Sequence, residues 1–239
     1  MKQVFSFLVF LMLLNSCTSE FKPATFKTTS IDNTFEADIM VSYDKAKGGN
    51  ELSEAINSNI ESTIISTLNS SENKTDLNTV LKDFNSEYIS FKKDFPEASE
   101  LVWELSVETE LTYQSKDVIT IAISSYEFKG GAHGNDKIEF LNLNAKTGEI
   151  LNQNDIIESV DDFKALAKTH FIKSLEVEED NLKMEDFFFG KPFQLPENIG
   201  FSQDGFVLLY NVYEVASYNQ GYTEFVIPFE DVESYLKVN

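Results

Sequence analysis

Phe35, Ala37, Ile39, Val41 and Tyr43 alternate with mostly polar residues, which predicts a β-strand with one buried face. DKAKGGN ends that strand, and Asn50 is placed to cap a helix. In it Leu52, Ile56, Ile60, Ile64 and Leu68 recur at four-residue steps, with Ala55 and Ile65 widening the stripe. A second helical pattern, Leu77, Leu81, Phe84, Tyr88, Phe91 and Phe95, stops at Pro96. Two such stripes need a sheet to cover. Trp103, Leu105, Val107, Thr109, Leu111 and Tyr113 supply it, and after a turn at QSKD the alternation returns through Ile119, Ile121, Ile123 and Ser125 as a hairpin.

Past the stretch GGAHG the period of two resumes at Ile138, Phe140 and Asn142. NAKTG and a short apolar run at Ile150 and Leu151 follow, then a helix around Glu158 to Leu175 with Phe163, Leu166, Ala167, His170 and Phe171 on one side. FSQDGFVLLYNVYEV reads as a hairpin turning at Gln203 to Gly205, ASYNQG as a loop, YTEFVIPF as a strand and EDVESYLK as a closing helix. Adjacent strands joined by short turns pair antiparallel. The expected fold is therefore α+β: mostly antiparallel sheets covered by helices, in two closely packed subdomains.

The first sixteen residues do not belong to that fold. One cation, Lys2, precedes an apolar run from Val4 to Leu14 that is too short to span a bilayer and suits the core of a secretory signal. Leu14-Asn15-Ser16-Cys17 resembles a bacterial lipobox, which implies cleavage before a lipid-bearing Cys17. Cys17 is the only cysteine, so no internal disulfide forms, and a sole thiol at that position is better explained as an anchor. Several acyl chains, each methylene contributing about 0.8 kcal/mol, hold a chain on a membrane stably. The expectation is a signal peptide over 1–16, a polar tether over 17–29, and an exported protein of the bacterial cell envelope.

Net charge is −21, and removal of the signal makes it one unit more negative. Nucleic acid is excluded as a partner, because its affinity rests on cations that neutralise phosphates. The 21 Phe and 9 Tyr distinguish the chain from disordered acidic segments.

YEFKGGAHG through FLNLNAKTGEILNQNDII, with GFVLLYNVYEVASYNQGYTEFVIPFEDVESYL, resembles the C-terminal domain of unknown function shared by PdaC-type peptidoglycan deacetylases and RsiV-type anti-sigma factors. EADIMVSYD and ELSEAINSNIESTI are similar to the smaller domain that precedes it there. The resemblance sets the expected boundary between an N-terminal subdomain, 30–117, and a C-terminal domain, 118–239. It implies extracytoplasmic binding rather than chemistry. In the deacetylases the reaction belongs to a separate metal-dependent domain, and the RsiV-type sensors bind lysozyme through this module.

The residue inventory weighs against an enzyme without closing the question. A zinc site draws three or four ligands from His, Cys and carboxylates, and His133 and His170 are the only histidines. His170 reads as a partly buried imidazole on a helix. Ser124 or Ser125 with His133 lacks a nucleophile elbow. Glu178-Glu179-Asp180 and Glu185-Asp186 lack the spacing of a calcium loop and read as solvated turns. No catalytic residue, metal or cofactor is therefore assigned.

Tyr126, Phe128, Tyr210, Tyr213, Tyr218 and Tyr222 flank the two loops that carry the resemblance. Tyrosine joins a large apolar surface to a polar tip, which suits glycan stacking and protein interfaces alike. The candidate ligand-binding residues are Tyr126, Gly130, Gly131, His133, Gly134, Tyr213, Tyr218 and Gly221. The leading expectation is a non-catalytic envelope lipoprotein binding a cationic lysozyme-like protein or a peptidoglycan component. The alternatives are a glycan hydrolase or deacetylase using His133 with a carboxylate, and a structural lipoprotein.

Overall fold

The computed structural model describes residues 21–31, 33–68, 76–98, 101–177 and 184–238. The signal peptide, Cys17, the 178–180 acids and the side chain of Glu185 lie outside the described residues.

Five strands form the first sheet in chain order: β1 (Phe26–Ser30), β2 (Asp38–Ala46), β3 (Glu104–Gln114), β4 (Val118–Phe128) and β5 (Asn135–Asn144). Between β2 and β3 the chain makes helices α1 (Glu51–Leu68) and α2 (Leu77–Asp94). Asn50 caps α1 as its position predicts: the Ser53 N–H donates to Asn50 Oδ1 at 2.9 Å, and the Asn50 N–H donates to Ser53 Oγ at 3.0 Å. The stripe Ile56, Ile60 and Ile64 is fully buried against Ile119, Ile121 and Ile123 of β4, with Leu81, Phe84 and Tyr88 of α2 in the same core. The long crossover through both helices returns β3 alongside β2 in parallel, whereas every other pair in the sheet is antiparallel.

Two features depart from the sequence reading. Phe26–Ser30 is a strand paired with β2, so the expected tether gives way to the sheet from residue 26. The expected boundary at 117/118 falls inside the β3–β4 hairpin, and one sheet runs through it. Just before β1, the Ala24 N–H donates to Gln114 Oε1 at 2.8 Å, and Gln114 Nε2 donates to the Ala24 carbonyl at 3.2 Å. The two ends of that side chain thus fix the start of the fold at the turn between β3 and β4.

The second core gathers behind a smaller antiparallel sheet, β6 (Ile199–Phe201), β7 (Phe206–Tyr210) and β8 (Thr223–Ile227). The short α3 (Gln153–Ile156), α4 (Val160–Val177) and the closing α5 (Phe229–Val232) complete it. Phe163, Ala167, Phe171 and Leu175 turn one face of α4 inward. His170, at the edge of that face, has Nε2 3.4 Å from Asp231 Oδ2, a partnered and largely buried imidazole. Among the described residues, no helix is long and apolar enough to cross a membrane.

The two cores are joined by asparagines. Asn142 is buried on β5, where its Oδ1 accepts from Thr120 Oγ1 and its Nδ2 donates to the Ile199 carbonyl, both at 2.8 Å. Asn198 Oδ1 accepts from the Phe140 N–H, and Asn211 Oδ1 accepts from the Ile138 N–H. Both Asn198 Nδ2 and Asn211 Nδ2 donate to the Ile138 carbonyl. Side-chain amides from the second unit therefore occupy the outer edge of β5 at Ile138 and Phe140, where another strand would pair.

Candidate functional site

The chain between β4 and β5 and the chain between β7 and β8 meet at one end of the first sheet. Asn211 sets this up, because its two bonds to Ile138 hold the start of the 211–222 loop beside β5. His133 and Tyr218 then stack, with ring centroids 3.9 Å apart and planes 24° from parallel. Tyr213 lies against the other ring of that pair, 5.5 Å from Tyr218. His133 Nδ1 lies 2.9 Å from the Gly134 carbonyl; since a carbonyl only accepts, this nitrogen carries the proton and Nε2 is left as an acceptor. The Tyr218 hydroxyl donates to the same carbonyl at a longer 3.4 Å.

Each glycine of the motif has its own reason. Gly130 and Gly131 have φ of 81° and 118°, the left-handed region needed for the turn. Gly134 is not in that region but is buried under Tyr126: a Cβ on it would lie 2.2 Å from Cε2 and 2.5 Å from the hydroxyl of that ring. Gly221, at φ 67°, closes the single helical turn Tyr218–Gln220. Tyr213 also has a positive φ of 70° and yet is 56% exposed. A bulky residue held in that region costs on the order of 1–3 kcal/mol and collects at functional surfaces.

The sequence reading missed the charge at the centre of the cluster. Asp136 lies directly across from Tyr126 in the β4–β5 register, on the same face. Burial, followed by the charges of Glu104 and Asp136, raises the Tyr126 hydroxyl above its ordinary value. Tyr222 is pushed up to about 12 by partial desolvation first, then Asp136 and Tyr218. The Asp136 carboxylate is thus within electrostatic reach of Tyr126 and Tyr222, and Tyr218 is near both of those hydroxyls. Two of the aromatic candidates fall elsewhere. Tyr210 is buried in the second core, where its hydroxyl donates to the Gln194 carbonyl, and Phe128 ends β4 opposite Glu104.

The downstream motif NAKTGE is a turn that seats α1. Asn144 Oδ1 accepts from the N–H groups of Lys146 and Thr147, and Asn59 Nδ2 donates to the Gly148 carbonyl at 2.7 Å. Gly148 has φ 75°, and a Cβ there would come within 2.9 Å of Ala55.

Among the described residues, no three His, Cys, Asp or Glu side chains group so as to hold a metal ion. The partners of the His133 ring are a backbone carbonyl and an aromatic face, not a carboxylate.

The tyrosine environments carry a pH prediction. A phenol whose folded value is raised is favoured in its neutral form, so its share of stability is intact below pH 10, the ordinary value, and is lost as pH climbs towards the folded value. Urea midpoints are expected to fall above pH 10, and Tyr222→Phe is expected to flatten the part of the fall that ends near 12. Superimposable profiles for the two proteins would show that neither burial nor the Asp136 charge perturbs the Tyr222 hydroxyl.

Residues 30–136 match the family described as Deacetylase PdaC, and residues 128–230 match DUF3298, a protein family of unknown function. The chain carries a PdaC-like module followed by a DUF3298 domain, and the two matches overlap across the GGAHG turn. Among solved structures it is similar to a DUF3298 family member from Bacteroides fragilis, with 19% identity over 90% of this chain and 95% of that one, at a TM-score of 0.71. A DUF3298 family protein from Pseudomonas aeruginosa is similar over the same shares, with 19% identity and a TM-score of 0.63. At such identity the likeness establishes the fold alone. No curated protein matches the chain.

Proposed function

We propose that this protein is a non-catalytic lipoprotein of the bacterial envelope, held by lipid on Cys17, which docks a cationic lysozyme-like protein on the tyrosine cluster. The observation that carries this reading is the Asp136 carboxylate, directly across from Tyr126 and within electrostatic reach of Tyr222, beside the stacked His133 and Tyr218 rings. Aromatic faces beside a carboxylate attract a lysine or arginine head through ring quadrupole and charge together, and Tyr is a common interface anchor. The net charge of −21 adds steering of a cationic partner. Lysozyme binding by the RsiV-type proteins that the sequence resembles points the same way. For a hydrolase, His133 would need an acid partner, and its Nδ1 is instead committed to a carbonyl.

The test is binding of a cationic lysozyme to the mature protein by calorimetry at low and moderate salt. Saturable one-to-one binding that weakens with salt is expected, and Asp136→Asn or Tyr222→Ala should each weaken it about tenfold or more. Absence of binding at low salt sinks the reading. Turnover of cell-wall fragments that disappears in His133→Ala, with the melting temperature unchanged, would replace it with the enzymatic one.

A further inference from the structure

The end of the first sheet remote from the tyrosine cluster is built from many chain segments. β1 and β4 begin there, and β2, β3 and β5 end there. Lys22 precedes β1, Lys27 lies on it, Lys45 and Lys47 flank the end of β2, Lys116 sits in the β3–β4 turn and Lys146 follows β5. All but Lys45 are exposed. Lys116 and Lys146 both reach Asp117, and Lys22, Lys27 and Lys47 make no ion pair among the described residues. With Asp44, Glu51, Glu149 and Glu233 also at this pole, six lysines stand against five carboxylates, whereas the whole chain has 40 acids for 19 cations. The other end of the sheet carries Asp38, Glu104, Glu127 and Asp136 with Lys129. The lysine end is thus the one that a negative surface would not repel.

A shallow hollow of about 500 Å³ opens at the same pole, with Phe21, Tyr113 and Phe229 in its wall beside Lys116 and Glu233. The Tyr113 and Phe229 rings are 5.4 Å apart, and Phe21 is 42% exposed. Half-buried rings next to lysines suit the headgroup layer of a bilayer, where the ring meets apolar boundary and the ammonium meets phosphate.

We propose that this pole is a contact face for the anionic phospholipid headgroups of the membrane that holds the chain, an inference that rests on the proposed lipid at Cys17. Covalent geometry argues for this occupant. Cys17 is four residues before Phe21, so at most about 14 Å of chain separates the lipid from the hollow. Gln114 bonds both the N–H and the carbonyl of Ala24, which keeps the pole from swinging away from that attachment. Two other occupants fit less well. A single small anion needs donors that converge on one point, and these lysines are spread over five strand ends, a row roughly 19 Å wide at strand spacing. A second copy of the chain would have to displace a bilayer that the lipid holds at high effective concentration.

The experiment couples the unlipidated mature chain through Cys17, its only cysteine, to a maleimide lipid in phosphatidylcholine vesicles, with or without about a third phosphatidylglycerol. Acetylation of each lysine by an N-hydroxysuccinimide ester is then followed by mass spectrometry. Lys27, Lys47, Lys116 and Lys146 are expected to label about fivefold or more slowly on the anionic vesicles, and the difference should vanish at high salt. Lys92 and Lys129 should label alike on both. Combining Lys22→Glu, Lys27→Glu and Lys47→Glu should remove the slowing at Lys116 and Lys146 while the melting temperature stays that of the parent. Equal labelling on the two vesicles overturns the proposal, as does slowing that extends to Lys92 and Lys129 in the same degree. Slowing reproduced on neutral vesicles by free glycerol phosphate overturns it too, because soluble phosphate would then suffice. Chemical coupling keeps this result independent of lipidation in the cell, which palmitate labelling of the wild-type and Cys17→Ser chains reads separately.

Discussion

Asn142→Ala is expected to cost roughly 2–5 kcal/mol, because it strands a buried hydroxyl and a buried carbonyl at once. Thr120 is fully buried and its hydroxyl donates to Asn142 Oδ1; the Ile199 carbonyl receives Asn142 Nδ2. Urea unfolding provides the check, and the slope is as informative as the midpoint. If Asn142 couples the cores, its loss should split or broaden a cooperative transition. Thr120→Val in the Asn142→Leu background should recover part of the loss, since removing both polar partners is cheaper than removing one, but the Ile199 carbonyl stays unpaired. A midpoint shift worth less than about 1 kcal/mol would mean that apolar packing alone joins the units.

Gly134→Ala should weaken binding and stability by similar amounts, both through the Tyr126 ring. The added methyl would lie within 2.5 Å of the outer atoms of the Tyr126 ring, which are the movable end of that side chain. The ring is expected to swing away, opening the cluster around Asp136. Affinity for a cationic lysozyme should fall about 10- to 100-fold, the range for losing one aromatic anchor. Stability should drop by about 1–3 kcal/mol, as for modest overpacking. A double-mutant cycle with Tyr126→Ala is the control: once the ring is gone, Gly134→Ala should cost nothing more. If the effects add in full, the glycine matters for some reason other than Tyr126.

Much of the fold was legible from periodicity alone. The α1 stripe, the Asn50 cap, the β3–β4 hairpin and the β6–β7 turn all appear where the pattern puts them. β1 was not, because FKTTS offers a single apolar residue and its pairing depends on β2. The parallel β2–β3 pair escaped for a related reason: short turns dictate antiparallel neighbours, but α1 and α2 together make a connection long enough to return the chain in the same direction.

The candidate residues divide in the same manner. Gly134, His133 and Tyr218 stood out because glycine and histidine are scarce in the chain, and the fold does bring them together. Asp136 was lost among 40 acids, and Asn142, Asn198 and Asn211 carry no periodic signal. Their importance lies in which backbone groups they reach across 57 to 73 residues of chain. Spacing shows nothing of that.

On the proposed lipid anchor at Cys17, the grip of Gln114 on Ala24 would decide which way the molecule points. From the turn next to that grip, β4 runs eight residues onward to Tyr126, about 27 Å at strand rise. A lipid on Cys17 would sit only a few residues before the grip, so the bilayer would lie at one pole and the tyrosines at the other. Anionic headgroups project their potential over roughly 8 Å at physiological salt. An acidic surface at the far pole would therefore neither be repelled by those headgroups nor compete with them, and an arriving cationic protein would meet Asp136 before it met the lipid.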